Sequence, residues 1–230
     1  MQKTIEISNY SSVTYDSLLE FQEAKKNAAT DSEKITELGD IICKYKLHEK
    51  IGLSLLHKHF DMSSDKVLLR NIKENVALTC PNGEFSNNFL PYSWKFESLY
   101  DSNGIRFTPL EFIQFESNTK TSNSVATIGK SITIQNEFLK EFSEKLFELE
   151  LENAFGLSVL NSFFLSKQEH ETFLETTDDI NKVLTLKSAS RELLSEKTIQ
   201  TQWIFSPSKS EIGTACTHCS HGDCGHCFHS

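Results

Sequence analysis

The chain has 230 residues, and its acidic side chains outnumber its basic ones 32 to 23, for a formal net charge of −9. That balance excludes general nucleic-acid binding, which needs clustered Lys and Arg to displace counterions from phosphate. No apolar run approaches the roughly 20 residues needed to cross a bilayer, and residues 1–10 lack the apolar core of a secretory signal. The expectation is a soluble cytoplasmic protein with no membrane partner, export by a route that reads no N-terminal signal being left open.

In chain order, an N-terminal segment, 1–31, is expected to carry a helix within 15–28. Segment 32–117 opens with a helix over 33–45: Ile35, Leu38, Ile42 and Tyr45 fall on one face, and Thr30 with Glu33 offers a capping box. Strands are expected near 51–60, 66–72, 75–80 and 92–98, where β-branched and aromatic residues concentrate. A further strand, 104–115, follows the turn string Asp101-Ser102-Asn103-Gly104. Residues 118–135, polar and rich in Ser and Thr, read as a linker. Segment 136–206 then opens with a helix over 137–149, N-capped by Asn136, with strands near 155–164, 171–176, 182–188 and 199–205.

The two segments share a pattern. Leu139, Phe142, Leu146 and Leu149 repeat the helix positions at a constant offset. Gly52-Leu53-Ser54-Leu55-Leu56 meets Gly156-Leu157-Ser158-Val159-Leu160 at that same offset, and Trp94-Lys95-Phe96 later meets Trp203-Ile204-Phe205. The expected fold is therefore α+β: an internally duplicated helix-plus-antiparallel-strands unit, two copies packed into one compact body, with a Cys/His-rich tail. Short connections favour antiparallel pairing. An internal duplication can stand in for a homodimer, which favours a monomer. Trp94 and Trp203 are expected in the core, and Cys43 and Cys80 as buried structural thiols.

The tail, 207–230, carries the strongest chemical signal. Cys216-Thr217-His218-Cys219-Ser220-His221 is followed by Cys224-Gly225-His226-Cys227-Phe228-His229, so each half interleaves Cys-x-x-Cys with His-x-x-His. Thiolates and imidazoles in this density are ligands for a soft or borderline ion, Zn(II) or Cu(I) rather than Mg or Ca. Gly222 and Gly225 allow the chain to reverse between the halves. The four residues between Cys219 and Cys224 are fewer than a zinc ribbon uses, which leaves one four-thiolate site and two mixed sites both open. Cys219, Cys224 and Cys227 also match an iron–sulfur run, but no downstream Cys supplies its fourth ligand.

A second candidate lies at His57 and His59. If 51–60 is one strand, Ile51, Leu53, Leu55, His57 and His59 share a face, and two imidazoles spaced so can hold one ion or pair a ligand with a general base. Glu111, with Glu116 as a more distant option, offers a carboxylate from the strand at 104–115; His48 stands at the helix-to-strand corner. In the second segment the corresponding positions are Asn161, Phe163 and Glu152, so the pattern itself does not require the histidines. Residues 52–60 resemble a segment of uncharacterised fungal proteins, a likeness that implies no activity.

Three functions follow. The first is a metal-binding protein whose tail takes Zn(II) or Cu(I). The second is a small-molecule enzyme, metal-dependent or His-based, with catalytic residues among His57, His59 and Glu111. The third is a module that recognises a protein partner and uses the metal structurally.

Overall fold

The computed structural model describes residues 4–28, 32–71, 76–81, 89–99, 104–114, 135–163, 168, 171–194, 198–207 and 214–221, the last as backbone. Strand outweighs helix, which overturns the α+β expectation. In chain order the elements are β1 (Thr4–Ile7), α1 (Ser12–Asp16), α2 (Phe21–Ala28), α3 (Ser32–Lys44), β2 (Ile51–Leu55), β3 (Lys66–Asn71), β4 (Val76–Pro81), β5 (Phe89–Leu99) and β6 (Gly104–Gln114). There follow α4 (Asn136–Glu148), β7 (Phe155–Val159), a 3-10 turn at Asn161–Phe163, β8 (Glu171–Asp178), β9 (Val183–Ser190), a second 3-10 turn at Arg191–Leu193, β10 (Ile199–Ile204) and β11 (Thr214–His221).

Helix α3 forms because Ile35, Leu38 and Ile42 recur at helical spacing and are all buried. It stops where Lys46 turns left-handed at φ 57°, letting the Leu47 N–H donate back to the Ile42 carbonyl at 3.0 Å. Helix α4 ends the same way: Glu150 has φ 59° and the Leu151 N–H donates to the Leu146 carbonyl at 3.0 Å. Its start differs from expectation. Gln135 occupies the cap position without a side-chain bond, and Asn136 is already helical. The two helices pack on each other, with Lys44 and Tyr45 of one segment holding Glu141 of the other at 2.7 and 2.8 Å. The helix expected within 15–28 is α2, and a shorter helix, α1, precedes it. Thr30 lies outside the described residues.

The sheet is where the expectation of two packed units fails. Among the described residues, eleven strands form one curled sheet in the order β1-β6-β3-β4-β9-β8-β11-β10-β2-β7-β5, and β5 pairs back onto β6. Strands of the two segments interleave: β2 lies between β7 and β10, and β7 between β2 and β5. No helix-plus-strands unit therefore stands by itself. Nor is the pairing all antiparallel, since β1–β6, β3–β6 and β8–β11 run parallel. Outward from the β2–β7 pair the order is β10, β11, β8, β9 on one side and β5, β6, β3, β4 on the other, the two arms meeting at β4–β9.

Alternate residues of β2, β5, β7 and β10 face the helices. Ile51, Leu53, Leu55, Trp94, Phe96, Phe155, Leu157, Val159 and Trp203 join Leu38, Ile42, Phe138, Phe142 and Leu146 in one buried cluster. Trp94 stacks on Phe107 at 5.6 Å between centroids, and Trp203 meets Phe155 edge-on at 5.4 Å. Both Trp thus fill the core as expected. Cys43 and Cys80 are only half-buried. Among the described residues no helix is long and apolar enough to cross a membrane.

Candidate functional site

The opposite face of the central strands lines a polar cavity of about 30 Å³. Ser54 of β2, Tyr92 and Ser93 of β5, Asn161 after β7, and Thr201 and Gln202 of β10 form its floor; Glu111 of β6, Glu175 of β8, His57 and His59 complete it. Ser93 reaches it at a register shift in β5, between Pro91 and Trp94.

The histidines do not lie on a strand. β2 ends at Leu55, the Leu56 N–H donates to Ala154 across the β2–β7 seam at 2.8 Å, and the Lys58 N–H donates to Leu19 at 3.0 Å. This turn carries His57 and His59 away from the face of Ile51, Leu53 and Leu55, so the expected alternation breaks just before them. They still come together. Their rings meet edge-on at 4.6 Å, and both are buried.

The surroundings of each imidazole differ. His57 Nδ1 lies 3.1 Å from the Leu55 carbonyl oxygen, which can only accept; the proton is therefore assigned to Nδ1, and Nε2 is the lone-pair nitrogen. Burial pulls the His57 pKa down, against the opposing influence of Glu175 and the Leu55 carbonyl. The His59 N–H donates to the Tyr15 hydroxyl at 3.3 Å. Its Nδ1 stands 3.3 Å from Thr177 Oγ1, and its Nε2 lies 3.8 Å from Glu111 Oε1.

Glu111 sits where sequence reasoning placed a carboxylate. Burial pushes its pKa up to about 7; Arg70 opposes the rise and Glu175 adds to it. Arg70 and Glu175 were not anticipated. They form a buried ion pair at 2.8 Å, with the Arg70 guanidinium 5.1 Å from the Tyr92 ring centroid. A charged residue ending the apolar run Val67-Leu68-Leu69 was the available signal, but nothing local named its partner. On the far side, Tyr92 donates to Asn161 Oδ1 at 2.7 Å, and Gln202 Nε2 donates to Ser158 Oγ at 2.7 Å and to the Val159 carbonyl at 3.0 Å. His48 is not among the cavity-lining residues, and Glu116 lies outside the described residues.

The Cys/His segment enters the sheet. Strand β11 is seated between β8 and β10, so 214–221 is part of the barrel wall rather than a separable tail. Against β8 it is parallel and in continuous register: Thr217 beside Phe173, Cys219 beside Glu175, His221 beside Thr177. At Cys219 the backbone of β11 stands between Glu175 of β8 and Ile199 of β10. Cys216 falls where the register against β10 shifts. Cys224, His226, Cys227 and His229 lie outside the described residues. Comparison with protein-family models, with curated proteins and with solved structures finds no match.

Proposed function

We propose that this protein binds a transition metal, Zn(II) or Cu(I), through its Cys/His-rich segment 216–229. The observation that carries the reading is the seat of β11: ligand-type residues occupy a strand whose register partners, Glu175 and Thr177, are buried beside two imidazoles. Soft thiolate with imidazole suits these ions, and the reading implies a reducing compartment, where the thiols stay available.

Elemental analysis of the full chain, purified without an affinity tag, tests it. The expected result is stoichiometric zinc or copper, with a substantial loss when Cys216, Cys219, Cys224 and Cys227 are all changed to Ser. A full chain that retains no metal, or a quadruple variant that retains it all, would overturn the reading.

An enzyme using His59 and Glu111 as an acid–base pair has one observation in its favour, a carboxyl raised to about 7 next to an imidazole. The cavity weighs against it. About 30 Å³ accommodates a water or an ion, whereas sites for organic ligands run to roughly 300 Å³ and more.

A further inference from the structure

Ser93 and Glu111 are register partners across the β5–β6 pair, so their side chains stand on one face, and both line the polar cavity. Ser93 is only 5% exposed, and its Oγ has no hydrogen-bond partner among the described residues. A buried hydroxyl left so costs stability unless something polar meets it. Across the cavity, His59 Nε2 stands 3.8 Å from Glu111 Oε1, too far for a hydrogen bond.

The size and charge of the cavity narrow what can meet these groups. Its volume of about 30 Å³ is enough for roughly two waters. Among the described residues, no three His, Cys, Asp or Glu side chains form a group that could hold a metal ion. Glu175 has its countercharge in Arg70 at 2.8 Å. Burial raises the Glu111 pKa to about 7, so up to near neutrality that carboxyl carries no charge. Walls of this kind select a guest that is neutral, water-sized, and able both to donate and to accept.

We propose that a water molecule binds between Ser93, Glu111 and His59, bonded to the Ser93 hydroxyl, the Glu111 carboxyl and His59 Nε2. Three polar partners are the usual number for a buried water. His59 Nδ1 stands 3.3 Å from Thr177 Oγ1, a hydroxyl that can donate or accept, so water serves the ring in either tautomer. With Nε2 unprotonated, the Glu111 carboxyl gives its proton to the water while the water passes one of its own to Nε2. The products are a carboxylate and an imidazolium, no proton leaves the cavity, and the two groups titrate as a unit. The other titratable groups around Glu111 are Arg70 of β3, Glu175 of β8, His57 beside His59, Tyr10 before α1 and Tyr15 within it. Of these, Arg70 favours the carboxylate and Glu175 opposes it. The site does not depend on metal binding at 216–229.

Two readouts on the full chain test it: electron density in crystals diffracting to atomic resolution, and the 15N titration of His59 followed by NMR. The variants are Ser93→Ala and Glu111→Gln. The expected result is a water between the three side chains in the wild type and in Glu111→Gln, whose amide still bonds it, and its loss in Ser93→Ala. The His59 inflection should fall by about one pH unit in Glu111→Gln, because the carboxylate that favours the imidazolium is gone. It should move the same way, by less, in Ser93→Ala. Amide NMR spectra identify a variant that fails to fold, and the wild-type density stands apart from both. Wild-type crystals without density at this place overturn the proposal. So does a water that Ser93→Ala leaves unchanged, or a His59 inflection that Glu111→Gln leaves in place. None of these outcomes touches the reading of 216–229.

Discussion

The ends of β2 and β7 invite comparison, because the chain arrives at them in the same way and leaves them differently. Each strand follows a helix closed by a left-handed residue, Lys46 or Glu150. Each carries a glycine where a Cβ would overlap a backbone carbonyl oxygen, Trp203 above Gly52 and Trp94 above Gly156. Each is held past its end by a reciprocal bond, Leu56 N–H to Ala154 and Leu160 N–H to Lys50. Beyond that the likeness stops. After β7, Asn161 is tied into an amide and hydroxyl network with Tyr92 and Gln202. After β2, two imidazoles face carboxylates, one of which has its pKa raised to about 7. What the two ends share builds the sheet, and what distinguishes them is chemistry the sheet does not need.

The largest expected effect breaks the titratable side of the comparison. Arg70→Met leaves Glu175 buried without its cation and should lower stability by about 3–5 kcal/mol, read from urea denaturation; Arg70→Met with Glu175→Leu should recover most of it. Next come the shared features. Gly52→Ala and Gly156→Ala should each cost up to about 3 kcal/mol, because a backbone carbonyl cannot step aside as a side chain can. A much smaller loss at one position than the other would break the likeness.

Glu111 gives a pH-dependent contrast. Its folded pKa, about 7, stands above the ordinary 4.5, so its contribution to stability is fully present below pH 4.5 and is lost as pH rises through 7. The difference in unfolding free energy between the wild type and Glu111→Gln should fall across that window by at most about 3 kcal/mol. His57, whose folded pKa is lowered, contributes with opposite sign as pH falls through 6.5 and is present in both proteins, so the difference isolates Glu111. A flat difference curve would show that the carboxyl is not held in its neutral form. The smallest effect returns to the helix ends: Lys46→Gly and Glu150→Gly, with φ near 60° at both, should each gain up to about 1 kcal/mol in thermal or denaturant unfolding.

The sequence made some of this legible. Both long helices came within a residue of their observed limits, because 3.6-residue periodicity survives burial intact. Most strands were placed, but not their partners. Nothing near Ile51–Leu55 indicates that its neighbours are β7 and β10, since pairing is settled by residues a hundred or more positions away. His57 and His59 were read into a strand because they continue the alternation of Leu53 and Leu55; the chain instead turns to reach Ala154 and Leu19. β11 was missed because Cys and His dominated the reading of a stretch whose β-branched Thr214 and Thr217 are also compatible with a strand. Arg70 and Glu175 are each unremarkable in their own strands and become meaningful only as a pair.

The exchange of strands has a kinetic consequence. Segment 32–117 cannot satisfy the edges of β2 from its own residues, because both neighbours of that strand come from beyond residue 150; β7 likewise depends on β5. Contacts so distant in sequence must close large loops before they return any stabilisation, which slows folding. Neither half should hold structure without the other. The two should melt in one transition, and fragments cut between residues 115 and 134 should remain unfolded separately and regain strand content on mixing, at a rate that depends on their concentration.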